Sequence, residues 1–256
     1  MFQNHIMQVL TLVAMEAPVA FEADAIRDEK VKVLRAVRPM RKSDLAERTV
    51  RAQYGPGVVD GEPVKGYLEE TDVPANSETA TYAAMEWYVD NWRWQGVPFY
   101  VRSGKRLATR ATEIAITFKR PPHLLFDSMD DEKLRHNVLA IRVQPDEGIS
   151  MRFEAKVPGQ GIVRRSVTMD FSYGESFDIT APPEAYERLL LDAILGDATL
   201  FARSDEIEWA WTLIDPVIEG WANGYGPTLR TYEAGTWGPM EADSLVELDG
   251  HTWRTL

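Results

Sequence analysis

Cysteine is absent from this sequence of 256 residues, and histidines and basic residues are few. Without cysteine the chain has no disulfide, no cysteine nucleophile and no thiolate metal site, which fits a reducing compartment. The four histidines are scattered and none forms a close His/Glu pair, so we predict no metal site. Lysine and arginine number 28 against 40 aspartates and glutamates, a formal net charge of -12. Such a chain lacks the broad basic surface that DNA or RNA binding requires, and we predict no nucleic-acid partner.

Long apolar runs and targeting signals are missing as well. No apolar stretch reaches transmembrane length. The first residues, MFQNHIMQVLTLVAMEA, lack the basic segment and the cleavage site of a signal peptide. We therefore expect a soluble, cytoplasmic protein with no membrane partner.

Fingerprints of nucleotide binding and of serine hydrolases are not found either. The loop at 159–161 has neither the third glycine nor the following helix of a dinucleotide-binding motif. The sequence contains no Walker A motif and no G-x-S-x-G motif. We therefore predict no cofactor-binding residue in this chain.

The patterns that are present place strands in the middle of the chain and helices at both ends. Strands are predicted at 81–89, 97–102, 113–119, 138–144, 149–156 and 166–173. Helices are predicted at 2–15, 24–37, from 43, 183–195, 204–221 and 240–248, with Pro216 kinking or ending the fifth. Short links between strands favour antiparallel pairing. We predict an α+β fold in which one large, mostly antiparallel sheet has helices packed on one face, as a single domain over 1–256.

The first predicted helix begins without a capping residue or a preceding loop. A complete chain seldom starts inside a helix pattern. We therefore expect a truncation or an internal start.

Four cations lie close together at 96–110, GVPFYVRSGKRLATR, after an apolar run that predicts a buried strand. They are Arg102, Lys105, Arg106 and Arg110. Gly104 marks the point where the chain turns and where a ligand can approach the backbone. Positive charge concentrated against an acidic background is a candidate site for an anion, most often phosphate. The alternative is a solvated loop whose cations pair with the acidic surface.

His5 falls at the edge of the apolar stripe of the first predicted helix, near Asn4 and Gln8. A partly desolvated histidine can accept protons near neutral pH, which suits a general base. The alternative is a histidine that fills a seam between helix and sheet. Carboxylate pairs such as Glu206/Glu208 are expected to lie on a solvated face without a role.

Eight long segments, in one order along nearly the whole chain, carry a resemblance. They include FQNHIMQVLTLVAMEAP at 2–18, NWRWQGVPFYVRSGKRLATR at 91–110, IRVQPDEG at 141–148 and FARSDEIEWAWTLIDP at 201–216. These segments resemble the C-terminal domain of the glucose-6-phosphate dehydrogenase family. The resemblance implies oxidation of the C1 hydroxyl of glucose 6-phosphate to the 6-phosphoglucono-lactone, the step that opens the oxidative pentose phosphate pathway. The hydride acceptor in the family is NADP, in some members NAD, and the sequence does not decide between them.

The resemblance also implies roles for individual residues. His5, in the N-H-x-x-Q segment, is the implied general base. Lys105 of R-S-G-K and Arg110, five positions on, are the implied contacts to the sugar phosphate, and Gln144 of IRVQ is implied to lie near the substrate. The family's large sheet implies a homodimer.

Other features of the family have no match in this chain. The dinucleotide-binding domain, the R-I-D-H-Y-L-G-K motif and the aspartate that orients the histidine are absent from these 256 residues. The resemblance thus implies that NADP is bound mainly by a missing N-terminal domain, and we expect no dehydrogenase activity from this chain alone. Ala111 and Ala115 stand where animal members have basic residues for a second NADP, so that site is not expected. Two alternatives stay open: a non-catalytic remnant that keeps the fold and a subunit-interaction surface, and an unrelated anion-binding module.

Overall fold

The computed structural model describes residues 1–121, 135–159, 163–177 and 185–255. The chain divides into two compact units. The first unit comprises Met1–Ala108 and Ala185–Trp253, and the second comprises Thr109–Glu184 with Arg254–Leu256.

Helices lie mainly in the first unit, and the strands are shared between the two. The α-helices are α1 (Met7–Ala14), α2 (Ala23–Ala36), α3 (Leu45–Arg48), α4 (Tyr173–Ser176), α5 (Ala185–Leu195), α6 (Ser204–Ala222) and α7 (Met240–Glu247). A π-helical turn (Phe2–Ile6) and a 3-10 turn (Tyr67–Glu69) complete the helical elements. The strands are β1 (Thr49–Gly55), β2 (Gly57–Val59), β3 (Glu62–Val64), β4 (Tyr82–Tyr88), β5 (Pro98–Gly104), β6 (Thr112–Thr117), β7 (Val138–Gln144), β8 (Gly148–Lys156), β9 (Arg164–Ser172) and β10 (Arg230–Glu233). Among the described helices, none is both long and apolar enough to cross a membrane.

The sheet of the first unit has the strand order β10-β1-β4-β5, and its central strands β1 and β4 are largely buried on both faces. Successive residues of β4 point to opposite sides, as the two-residue period of a strand requires. Met85 and Trp87 enter a cluster that we call the helical cluster, because α1, α2 and α6 supply most of its other members. Tyr82 and Ala84 enter a second cluster, the tyrosine cluster, which also contains Tyr232 and residues of α7.

The sheet of the second unit is an antiparallel meander, β6-β7-β8-β9. Residues directly opposite each other in its register share a face, and one face is entirely apolar along the middle of the sheet. Its members are Ile114, Ile116, Leu139, Ile141, Ile149, Met151, Phe153, Val167, Met169 and Phe171. Every one of these side chains is at least partly exposed. The opposite face carries charged and polar residues such as Arg142, Ser150 and Asp170.

The α+β class with mostly antiparallel pairing is confirmed, and the predicted strands of the middle region are present. The described strands form two four-stranded sheets and a small hairpin, whereas the sequence predicted one large sheet. Helices pack in both clusters of the first unit rather than on one face alone. The parallel pair β1/β10 was not predicted, and β2 and β3 lie in a segment that the sequence describes only as turn-rich.

Of the two predictions for Pro216, that it ends the helix is wrong, since α6 continues to Ala222. Proline removes one backbone hydrogen bond from a helix interior. Here Leu213 and Val217 are buried in the helical cluster on either side of it, and this packing holds the helix together. The first two residues of the helix predicted at 183–195 lie outside the described residues.

Candidate substrate site

His5 lies in the π-helical turn Phe2–Ile6, which leads directly into α1. Met7 and Leu10 anchor α1 in the helical cluster, and Phe2 packs against the same cluster. The His5 side chain remains exposed. This exposure does not fit the alternative of a histidine that fills a helix–sheet seam. A solvent-facing imidazole beside a buried helical face is instead accessible to a small molecule.

The basic turn has a fixed backbone. The Lys105 N–H donates to the carbonyl of Thr81 at 2.9 Å, and the Tyr232 hydroxyl donates to the Lys105 carbonyl at 2.5 Å. Gly104 fits closely here, because a Cβ at this position would lie 2.6 Å from a ring carbon of Tyr82. The Lys105 side chain is exposed, so the turn presents this ammonium group from a rigid base.

Two of the four cations are engaged within the first unit. The Arg102 guanidinium lies 4.5 Å from the ring centroid of Trp253 and 5.2 Å from that of Trp237, which are stacking distances. Arg106 lies 3.2 Å from a carboxylate oxygen of Glu70, and this hydrogen bond raises the pKa of the Arg106 guanidinium. Both side chains therefore serve the local structure.

Lys105 has no ion pair within the described residues, and its neighbours in β5 show how the strand that leads to it is packed. Phe99 and Val101 of β5 pack against the helical cluster, as Phe2 does. Gly104 faces the other way, towards Tyr82 of the tyrosine cluster. Lys105 follows directly after Gly104, the last residue of β5. His5 and Lys105 both belong to the first unit, and both side chains are exposed.

Arg110 and Gln144 belong to the second unit. Gln144 is the last residue of β7 and lies opposite Thr112, the first residue of β6. Arg110 precedes Thr112 by two residues, so both predicted residues lie at the same end of this sheet. Both side chains are exposed, and Arg110 also has no ion pair in the part of the chain that the structure describes. A cis peptide bond joins Gln144 to Pro145.

The sequence analysis missed a buried polar cluster beside the His5 helix. Glu206, expected on a solvated face, is fully buried and lies 2.6 Å from the Lys30 ammonium. Its carboxylate also accepts a hydrogen bond from the Gln8 amide at 3.3 Å. A signal for this cluster was present, because Lys30 interrupts the apolar stripe that Ile26 and Leu34 form on α2.

Metal ligation and dinucleotide binding find no counterpart in the described residues. No group of three or more histidine, cysteine or acidic side chains is arranged there to hold a metal ion. Their strands form only one parallel pair, β1/β10, whereas a dinucleotide-binding fold is built on a mostly parallel sheet.

Comparison with known proteins assigns the family. A family profile described as "Glucose-6-phosphate dehydrogenase, C-terminal domain" matches residues 1–254. This chain belongs to that family. The glucose-6-phosphate 1-dehydrogenase of Aggregatibacter actinomycetemcomitans is 53% identical over 254 residues, 99% of this chain and 50% of that protein. The enzyme of the same name from Rhizobium meliloti is 49% identical over 254 residues, with 99% and 51% covered. The chain thus spans about half the length of these curated relatives.

Solved glucose-6-phosphate dehydrogenases share the fold. One, described as a complex with its substrate glucose-6-phosphate, superimposes with a TM-score of 0.86 at 37% identity. The match covers 99% of this chain and 50% of that one. Glucose-6-phosphate 1-dehydrogenase from Mycobacterium avium gives a TM-score of 0.78 at 35% identity, with 100% and 50% covered. The resemblance derived from the sequence segments is therefore confirmed.

Proposed function

We propose that this chain is the substrate-binding and subunit-interaction half of a glucose-6-phosphate dehydrogenase. The reaction is oxidation of glucose 6-phosphate to 6-phosphoglucono-1,5-lactone, the entry to the oxidative pentose phosphate pathway. The names of the relatives support the activity. The observation that carries the assignment to this site is the Lys105 turn. Its rigid backbone presents an exposed ammonium that has no ion pair among the described residues, beside two engaged arginines.

In this proposal each residue has one task. Lys105 and Arg110 donate charge-assisted hydrogen bonds to the phosphate and so orient the sugar. Gln144 contributes polar contacts to the same substrate. The exposed His5 imidazole accepts the proton of the C1 hydroxyl as the hydride leaves C1.

The hydride acceptor is the nicotinamide of NADP, which supplies the redox chemistry when bound. We propose that NADP is held mainly by a nucleotide-binding domain in the half of the relatives that this chain does not match. The described residues supply a proton acceptor and substrate contacts but no dinucleotide fold. This chain alone is therefore expected to bind the sugar phosphate without turning it over.

Calorimetric titration with glucose 6-phosphate tests the site on the purified chain. Lys105→Ala is expected to weaken binding by roughly 10-fold to 100-fold, because a hydrogen bond to a charged group is lost. Lys32→Ala is the matched control, since it removes an exposed lysine from α2, where Lys32 is paired with Glu29. Equal affinity of the two variants would contradict the phosphate role of Lys105.

The same titration distinguishes the proposed substrate-binding half of an enzyme from the alternative of a non-catalytic remnant. Lack of any binding by the wild-type chain, together with a folded circular dichroism spectrum, would favour the non-catalytic remnant. Unphosphorylated glucose is expected to bind more weakly than glucose 6-phosphate, because it cannot engage the cations.

We further propose that the apolar face of the second sheet pairs with a second copy of the chain. Ile149 is 38% exposed and Met169 is 64% exposed on this face. Contiguous exposed apolar side chains are typical of interaction surfaces, and two-fold pairing lets one surface cover its own copy.

Light scattering of the purified chain tests this pairing, and we expect a dimer. Met169→Glu places a charge on the apolar face and is expected to give monomers. Thr168→Glu is the control, because the neighbouring residue of β9 points to the opposite face and is also exposed. A monodisperse wild-type monomer would reject the proposal.

A further inference from the structure

The Glu206 carboxylate is 0% exposed, and both of its oxygens are occupied. A buried charge is costly unless it is paired and hydrogen-bonded. One oxygen contacts the Lys30 ammonium at 2.6 Å and accepts the Gln8 amide at 3.3 Å. The other accepts the backbone N–H of Arg203 at 3.2 Å. Three segments, α1, α2 and the start of α6, therefore meet at one carboxylate.

Two of these contacts have a structural purpose that does not involve α1. Lys30 neutralises the buried charge, and the Arg203 contact caps the first turn of α6. The Gln8 contact is needed for neither. Gln8 follows His5 by three residues, one helical turn along the same surface. The buried Thr11 hydroxyl donates to the Gln8 carbonyl at 2.8 Å and fixes that backbone as well.

The His5 side chain has no hydrogen-bond partner among the described residues, so the turn that carries it and the helix that follows set its position. We infer that Glu206 is a positioning residue for His5, acting through Gln8 on the turn that follows it. The inference rests on the proposed role of His5 as proton acceptor. Glu206 thereby has a role in the proposed site, although it is about 100 residues from Lys105 in sequence.

Histidine Cε1–H signals of the full 256-residue chain, recorded by NMR with labelled histidine, report the position of His5. His5→Gln assigns its signal. The informative variant is Lys30→Met/Glu206→Gln, which removes both buried charges together and leaves no unpaired ion. It is expected to shift the His5 signal and to reduce its response to added glucose 6-phosphate, while the signals of His136 and His251 stay in place. Glu208→Gln, an exposed neighbour on α6, is expected to change none of them.

A double-mutant cycle tests the route through Gln8. In a Gln8→Leu background, Lys30→Met/Glu206→Gln is expected to cause no further shift of the His5 signal. A wild-type His5 signal in the charge-free variant, or an equal shift with and without Gln8, would overturn the inference.

Two further outcomes are decided by the same spectra. If the charge-free variant fails to fold, Gln8→Leu decides, because it keeps the ion pair and the α6 cap. Gln8→Leu is expected to keep the wild-type melting temperature and yet to reduce the change of the His5 signal on addition of glucose 6-phosphate. An unaltered change of the signal rejects the inference. If the wild-type chain does not bind glucose 6-phosphate, the proposed function fails. The shift of the His5 signal between the unliganded wild-type and variant chains still tests whether Glu206 positions His5.

Discussion

The two four-stranded sheets of this chain have strands of similar length but differ in how much of each sheet is exposed to solvent. In the first unit both faces of the sheet are covered, and even a carboxylate, Glu206, is buried with its partners. In the second unit the apolar face is partly open. The buried residues of that unit, among those described, are Val138, Ala140, Gly148 and Ser150, and all four lie on the opposite face.

This difference separates stability from interaction. A sheet with two packed faces contributes most of the apolar burial that stabilises a fold, and the His5 turn and Lys105 rest on that framework. An open meander with one apolar face has little burial of its own and gains most from a partner. Substitutions of the same kind should therefore differ strongly in effect between the units.

The largest difference is expected for the ion pairs. Lys30→Met leaves the buried Glu206 charge unpaired and should lower the free energy of unfolding by about 3–5 kcal/mol. Asp170→Asn breaks an ion pair in the second unit, between Asp170 (57% exposed) and Arg142 (35% exposed). This change should lower the free energy of unfolding by less than about 1 kcal/mol. Urea denaturation measures both. Adding Glu206→Gln to Lys30→Met should recover most of the loss, and equal losses for Lys30→Met and Asp170→Asn would contradict the contrast.

Methionine truncation gives the second contrast. Met85 is 2% exposed in the helical cluster, so Met85→Ala should cost about 2–5 kcal/mol through lost burial and the cavity left behind. Met169→Ala makes the same chemical change at a side chain that is 64% exposed and should cost about 0.5 kcal/mol or less in dilute protein. Urea midpoints over a range of protein concentrations measure both. If the stability lost in Met169→Ala increases with protein concentration, Met169 belongs to the pairing surface. A large loss of stability in dilute protein would contradict the contrast, because the second sheet would then need this side chain without a partner.

The sequence predicted the elements that follow from local patterns. Strand β7 has the predicted bounds Val138–Gln144, because its alternation is complete within seven residues. Strand β1 was missed, since its parallel partner β10 lies far along the chain and a glycine-rich turn follows it. Local periodicity carries no information about such a pairing.

The site was predictable to a similar degree. The sequence pattern singled out His5, Lys105 and Arg110, and the resemblance assigned their roles and added Gln144. These roles remain predictions. The sequence could not show that Arg102 stacks on Trp253 or that Arg106 pairs with Glu70, because both partners come from distant segments. Burial of Glu206 likewise depends on the packing of three helices, and only Lys30 on the apolar stripe of α2 pointed to it.

Alkaline pH provides the third contrast, because the described tyrosines with a raised pKa all lie in the first unit. They are Tyr54, Tyr82, Tyr88, Tyr100 and Tyr232. Burial raises the pKa of Tyr82 from 10.0 to about 12. The folded state therefore holds this proton more tightly than the unfolded state, so the stabilisation is complete below pH 10 and is lost as the pH rises towards 12.

Tyr82→Phe should reduce the loss of stability between pH 9 and pH 11.5 by about 2 kcal/mol, most of the effect of a pKa raised by about two units. Urea midpoints at the two pH values measure this loss and separate it from any constant effect of removing the hydroxyl. Tyr173→Phe in the second unit, where the side chain is 42% exposed, is the matched control and should leave the loss unchanged. The same reduction in both variants would mean that the alkaline transition is not governed by burial in the first unit, because Tyr173 is not buried.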